Sequence, residues 1–349
     1  MSATDFALSC PLPVTERKTI IMGHGSGGKL TAQLVHDLFL PAFDNDYLRK
    51  LDDQAVFTAG TARLAFTTDS FVVTPLFFPG GNIGELAVNG TVNDLAMSGA
   101  RPLFLSAAFI MEEGLSMEEL SRVVESMARA AGAAGVAIVT GDTKVVNRGS
   151  ADKLFITTSG VGLLCEGVSI SASNARVGDD IIISGTIADH GMAVMSVREG
   201  LEFEGAIESD TAPLHSLVEA MLNAGEVHVL RDPTRGGLAT SLCEIAAASS
   251  VGIQIEATQV PVREEVRGAC EILGLDPLFV ANEGKLVAFV PRECSDSVLE
   301  AMRLTSEGVG ARVIGRVTGD HPGMVRLKTE IGGTRILDLP FTEQLPRIC

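Results

Sequence analysis

The sequence predicts an α+β protein of two domains, and three observations carry that prediction. Its 349 residues suffice for two ordinary domains of roughly 100–200 residues each, each with its own core. Apolar runs of strand length mix with helical periodicities without a strict βαβ rhythm, which argues against a doubly wound parallel sheet. Between 166 and 178 the periodicity lapses into a stretch rich in Ser, Ala and Gly, the composition of a boundary.

In chain order, residues 1–18 carry Pro11 and Pro13 and no period, and read as a leader. Ile20-Ile21-Met22 reads as a short strand entering Gly23-His24-Gly25-Ser26-Gly27-Gly28, after which Leu30, Leu34 and Leu38 mark one helix face. A second helix starts at Ser116, with Glu119 completing a capping box and Met117, Leu120, Val123, Val124 and Met127 as its stripe. Gly132 suits its end. Val136–Val139 is an apolar run into Gly141-Asp142-Thr143-Lys144, and Leu154–Leu164 reads as a strand. Asp180–Ser184 opens the second half. Helical patterns at 214–223, 238–249, 263–273 and 296–306 then alternate with strand-like Lys285–Val290, Arg312–Val317 and Met324–Leu327. From Pro340 onward the chain reads as a tail ending in Cys349.

Composition excludes several classes of function. With 27 Lys+Arg against 44 Asp+Glu, the net charge is −17, the wrong sign for gripping a nucleic-acid backbone. Aromatics are 5% with no Trp, so base-stacking platforms are absent too. No run of about 18 uncharged apolar residues exists to span a bilayer. Leu8-Ser9-Cys10 lacks the basic leader and apolar run of a lipoprotein signal, so a soluble, cytoplasmic protein is expected. The six cysteines never approach C-x-x-C spacing, which argues against zinc or an iron–sulfur cluster.

The glycine stretch matches G-x-x-x-x-G-K, yet Leu30 stands where a P-loop needs a Mg²⁺-binding hydroxyl. It also matches G-x-G-x-x-G, but no second βα unit or strand-end acid follows. Common to these readings is a turn whose backbone N–H groups, over Gly25, Ser26, Gly27, Gly28 and Lys29, suit an anion such as phosphate. A phosphate site in so acidic a chain needs a cation. Asp53, Asp69, Asp94, Asp142 and Asp232 each follow an apolar run or sit in a small-residue helix, beside Gly, Thr or Asn. Hard oxygen ligands without His or Cys favour Mg²⁺ bound together with substrate phosphates, so the composite points to Mg-ATP. Among the remaining charges, Arg235 meets a phosphate or a carboxylate equally well. His24 suits phosphate contact or loop support, and His190, in Ala188-Asp189-His190-Gly191, reads as a turn residue.

Leu51-Asp52-Asp53-Gln54-Ala55-Val56, Thr68-Asp69-Ser70, Asn93-Asp94-Leu95, Gly141-Asp142-Thr143 and Asp232-Pro233-Thr234-Arg235-Gly236-Gly237 resemble the ATP-binding elements of the aminoimidazole ribonucleotide synthetase superfamily. Within it, Phe77–Asn82, Gly141–Val146, Asn282-Glu283-Gly284 and the terminal Pro346-Arg347-Ile348-Cys349 resemble the HypE family of hydrogenase-maturation carbamoyl dehydratases. The likeness runs over about residues 20–349, and the terminal motif is far more specific than the glycine loop.

The resemblance implies a leader (1–18), an ATP-binding domain (19–165) whose strands pair across a homodimer, a C-terminal α+β domain (171–338) and a mobile tail (339–349). It implies Mg-ATP as cofactor, with Asn93, Thr143 and Arg235 beside the nucleotide and Lys144 and Glu283 as bases. The carbamoyltransferase HypF would load a carbamoyl group on Cys349, ATP would drive its dehydration to S-cyanide, and the HypC–HypD complex would receive the cyano group for the iron of [NiFe]-hydrogenase. The residues agree with such a carrier: a thiolate is a strong nucleophile, and ten residues from Pro340 reach at most about 33 Å. Two rivals stay open. A small-molecule kinase or synthetase of the same superfamily has no use for Cys349, and a nucleotide-regulated scaffold for metallocentre assembly binds ATP without turnover.

Overall fold

The structure, a computed structural model, describes residues 19–201, 207–340, 345 and 348. The leader and Cys349 itself lie outside the described residues. The chain opens with a 3-10 turn, Met22–Gly25, where a strand was expected. The Ile21 N–H donates to His24 Nδ1 (3.1 Å), which curls the backbone out of strand geometry. Helix α1 (Lys29–Leu34) continues through a π turn (Val35–Phe39) into α2 (Leu40–Phe43). The wide turn takes the leucine stripe off its face: Leu30 is buried, Leu38 56% exposed.

The first unit consists of β1 (Ala55–Ala59), β2 (Ala62–Phe71), a β3–β4 hairpin (Phe77–Phe78, Gly81–Asn82), α3 (Ile83–Met97), β5 (Ala100–Glu112), α4 (Met117–Ala133), β6 (Ala137–Val146) and β7 (Leu154–Leu164). Its five-stranded sheet has the order β1-β2-β7-β5-β6, antiparallel except for β5–β6. Helix α3 lies on one face, buried along nearly its whole length. Gly90 permits this, since a Cβ there would come within 2.8 Å of the Phe71 ring. In α4 the Ser116 hydroxyl accepts from Glu118 N (3.2 Å), while Glu119 pairs with Lys153 (2.9 Å) and completes no capping box. The opposite face of the sheet carries exposed Phe66 and Phe104, with Ile138 and Val139 exposed on the edge strand β6.

The second unit adds β8 (Asp180–Ile183), α5 (Asp189–Arg198), α6 (His215–Ala224), β9 (Val229–Arg231), α7 (Gly237–Ser249), β10 (Gly252–Glu256), α8 (Glu264–Leu273), β11 (Val287–Val290), α9 (Arg292–Arg303), β12 (Arg312–Thr318), β13 (Val325–Lys328) and β14 (Thr334–Leu337). Its seven-stranded sheet runs β14-β13-β10-β12-β8-β11-β9, with only β10–β13 parallel. Antiparallel sheets with helices packed on them make the protein α+β. Among the described residues, no helix is long and apolar enough to cross a membrane.

The two cores are not separate. One apolar cluster joins Phe71, Phe78 and Leu86 of the first unit to Met192, Val266 and Val280 of the second, and includes Ile348 from the tail. Ile348 is 3% exposed, a burial worth about 1.5–3 kcal/mol. The tail is docked at this residue.

Candidate functional site

Four segments meet where the two units face each other: the last turn of α3, the middle of β2, the loop before α7 and the loop before β11. Asp94 on α3 accepts from Thr67 Oγ1 of β2 (2.7 Å). Burial, then the charges of Asp232 and Asp69, push its carboxyl well above the usual range, although part of its surface reaches solvent. Asp232 follows β9 and is buried, and burial raises it to about 6 against the pull of Arg231 and Arg235. Glu283, in the loop before β11, is 3% exposed and also pushed well up, by burial and by Asp232, Asp69 and Asp210. Its Oε1 has no hydrogen-bond partner among the described residues. Carboxyls whose charged forms are disfavoured first by burial and then by one another form a site suited to an added cation.

The donor set is hard oxygen with no Cys or His, which fits Mg²⁺. Among the described residues, no three such groups stand close enough to hold a bare ion by themselves. That also fits Mg²⁺, which takes one or two carboxylates together with substrate phosphates.

Other predicted residues are placed differently. Asp53 is ion-paired with Arg231, its carboxylate already neutralised. Asn93 donates to Ala212 O (3.0 Å) and Glu283 O (3.2 Å) and accepts from Leu214 N (2.8 Å), so its amide builds the wall between the units. Asp142, Thr143 and Lys144 lie on the exposed edge strand β6, where Asp142 pairs with Lys144 (3.0 Å). Register puts Asp69, Thr158, Ala107 and Gly141 in one row. Three strand spacings, about 14 Å, therefore separate Asp69 from this segment within one chain.

The glycine loop does not offer its N–H groups as a free row. Gly27 N donates to Thr31 Oγ1 (3.0 Å), Ser26 Oγ donates to Gly23 O (2.9 Å), and Lys29 N donates to Pro340 O (3.0 Å). Lys29 Nζ pairs with Asp338 (2.6 Å). A Cβ at Gly28 would stand 2.4 Å from Pro340 O, so the loop holds the start of the tail at close range. A Cβ added at Gly25 would meet nothing within 4 Å among the described residues.

His190 was read from sequence as a turn residue and is instead fully buried. It touches the tail through Ile348 O (2.9 Å) and feels the charge of Asp210, whose Oδ1 accepts from Glu283 N (3.0 Å). Only its place before Gly191 at a helix start marks it in the sequence. Burial pushes the thiols of Cys243 and Cys270 up to about 12, which makes these two poor nucleophiles.

Comparison with known proteins agrees with this layout. Residues 51–164 match the N-terminal domain of AIR synthase related proteins, and 176–328 match the C-terminal domain. The carbamoyl dehydratase HypE of Azotobacter vinelandii is 53% identical over 332 residues, 95% of this chain and 97% of its own. That of Escherichia coli K12 is 49% identical over 335 residues, 95% of this chain and 99% of its own. A crystal structure of HypE in complex with ATP superposes with a TM-score of 0.81 at 50% identity, covering 95% of this chain and 100% of that one. HypE in a HypE–HypF complex superposes with a TM-score of 0.84 at 52% identity, covering 88% and 99%. Identity of this order over nearly the whole chain, on the same two-unit fold, makes the protein a member of the HypE carbamoyl dehydratase family.

Proposed function

We propose that the chain is an ATP-dependent carbamoyl dehydratase that carries its own substrate, converting a carbamoyl group on the Cys349 sulfur to a cyano group. The docking of Ile348 carries this reading. It brings the Ile348 carbonyl to His190, a ring that feels the charge of Asp210, whose Oδ1 accepts from Glu283 N. A carbamoyl oxygen is a poor leaving group. Transfer of the γ-phosphoryl to it, with loss of one N–H proton, gives an iminophosphate. Expulsion of phosphate with the second N–H proton leaves the nitrile, so the products are S-cyanide, ADP and phosphate.

Two protons must therefore leave nitrogen. Glu283, whose carboxylate burial and its acidic neighbours make more basic, and whose Oε1 has no partner among the described residues, is the acceptor the cleft offers. Asp94, Asp232 and Asp69 would hold Mg²⁺, which supplies charge neutralisation at the transferring phosphoryl. Arg235, near enough to act on Asp94, Asp232 and Glu283, adds a positive charge on the same side.

Lys144 as second base requires another copy of the chain, because within one chain it is too far from the cluster. The uncovered sheet face supports such a homodimer. Phe66, Val161, Phe104 and Ala137 form one row across it, ending at the unpaired edge of β6. An apolar face joined to an open edge is what a second copy would cover. HypF is the partner that loads Cys349, the HypC–HypD complex takes the cyano group, and the setting is the cytoplasm. The test is mass spectrometry of Cys349 after incubation with HypF, carbamoyl phosphate and Mg-ATP. The expected adduct is carbamoyl without ATP and cyano with it, and a Cys349 that stays unmodified sinks the reading.

A further inference from the structure

The structure assigns His190 as a positioning residue: its Nε2–H latches the Ile348 carbonyl and so places the final peptide unit of the tail. This assignment rests on the carrier reading for its consequence in catalysis, though not for the latch itself. His190 sits in the first turn of α5, behind Ala188, whose φ of 73° turns the chain into the helix. Asn282 Oδ1 accepts from Ala188 N (2.7 Å) and fixes that turn to the loop bearing Glu283. The imidazole thereby points into the boundary between the two units, edge-on to Phe78 with centroids 5.3 Å apart.

The partners set the tautomer. A carbonyl oxygen only accepts, so Nε2, 2.9 Å from Ile348 O, carries the proton. Nδ1 is then the acceptor, and the Ser209 hydroxyl at 2.8 Å donates to it while accepting from Thr211 N at 3.2 Å. Burial keeps the ring neutral by lowering its pKa, consistent with one donor and one acceptor.

The groove beside the ring is shaped for the tail as well. A Cβ at Gly191 would lie 2.4 Å from Val280 Cγ1 and 3.2 Å from Leu345 Cδ1, so glycine here leaves room for Leu345. Leu345 and Ile348 both pack on the apolar cluster that includes Met192 and Val280. The latched carbonyl belongs to the amide whose nitrogen is that of Cys349, two bonds from the Cys349 Cα. Holding that amide limits where the sulfur can travel relative to Asp210 and Glu283.

Two substitutions separate latching from mere support. His190→Gln keeps an N–H donor near the position of Nε2 and loses the Ser209 contact. His190→Asn reaches only the position of Nδ1, keeping the Ser209 contact and losing the tail. The readout is tryptic release of Ile348-Cys349 by cleavage after Arg347 in the full-length protein, followed by intact mass. Ile348, on the carboxyl side of the cleaved bond, is buried, so cleavage requires it to undock and tracks the undocked population. His190→Asn should speed release about 5- to 10-fold, the effect of one hydrogen bond, while His190→Gln stays within about 2-fold of the parent. Dehydration of the pre-carbamoylated protein should slow in His190→Asn and recover in His190→Gln, with loading by HypF unaffected in both. Equal release rates in parent, Asn and Gln proteins overturn the latch. So does equal acceleration in Asn and Gln, which marks a purely structural histidine. A parent protein that forms no S-cyanide but shows the predicted release pattern removes the carrier reading and leaves the latch standing.

Discussion

Replacing Asp232 with Asn tests the charge logic of the cleft directly. Raising a carboxyl from an ordinary 3.8 to about 6 is worth about 3 kcal/mol between its protonation states. Because the folded pKa lies above the unfolded one, the folded protein binds the extra proton. Asp232 costs nothing below pH about 4, its cost grows as pH rises through about 6, and it is complete by pH 7.5. Asp232→Asn removes a buried charge crowded by Asp94, Asp69 and Glu283 and should therefore stabilise the nucleotide-free protein at pH 7.5. The ceiling is about 3 kcal/mol, or about 6–12 °C in Tm for a domain of this size. The loss of attraction to Arg231 and Arg235 brings the observed gain below that ceiling. The same variant should lose most of the stabilisation that Mg-ATP confers on the parent by binding the folded state. Thermal melts between about pH 4 and 8, with and without Mg-ATP, read both effects. A variant that melts below the parent without nucleotide at pH 7.5, or keeps the parent's pH slope, refutes the argument that the cluster is held together at an electrostatic cost.

Cys349→Ala should bind Mg-ATP with nearly parental affinity and form no cyano group, as read by calorimetry and mass spectrometry; cyanide delivery by that variant removes the carrier. Mixing Lys144→Ala with Glu283→Gln should restore part of the dehydration that each variant lacks alone, because a heterodimer assembles one intact site. Absence of any recovery in mixed dimers argues against a shared site. Gly28→Ala, whose Cβ would press within 2.4 Å of Pro340 O at an ordinary φ of −90°, should leave the main-body fold intact. It should raise tryptic release of Ile348-Cys349 by about 5-fold through loss of the Lys29 N–H bond to the tail, and an unchanged rate would show that this end of the tail does not govern docking.

Local signals in the sequence were sufficient for much of this protein. The alternation of Leu154–Leu164 became β7 with an alternating burial pattern, because a period of two is a property of the strand itself. Helix α4 starts after Ser116 because a hydroxyl there satisfies a free N–H in its first turn. Asp94 and Asp232 were legible as candidates from their place beside Asn, Pro and Thr in a small-residue helix and after an apolar run, whereas Glu283 was marked only by the family resemblance of Asn282-Glu283-Gly284. Their convergence, however, is a long-range event, since residue 94 comes near residue 232 only through the contact of two units. Tertiary structure likewise decided which predicted ligands were engaged elsewhere: Asp53 by Arg231, and Asn93 by three backbone groups. It put Lys144 on an open edge, where strand order and not strand propensity determines exposure. His190 shows the limit most clearly. Its neighbours Asp189 and Gly191 are those of a turn, and nothing local distinguishes a solvated ring from one buried against Phe78, Ser209 and the Ile348 carbonyl. The chemistry each residue can perform is written in its side chain, whereas the partner it performs it with depends on packing between segments 158 residues apart.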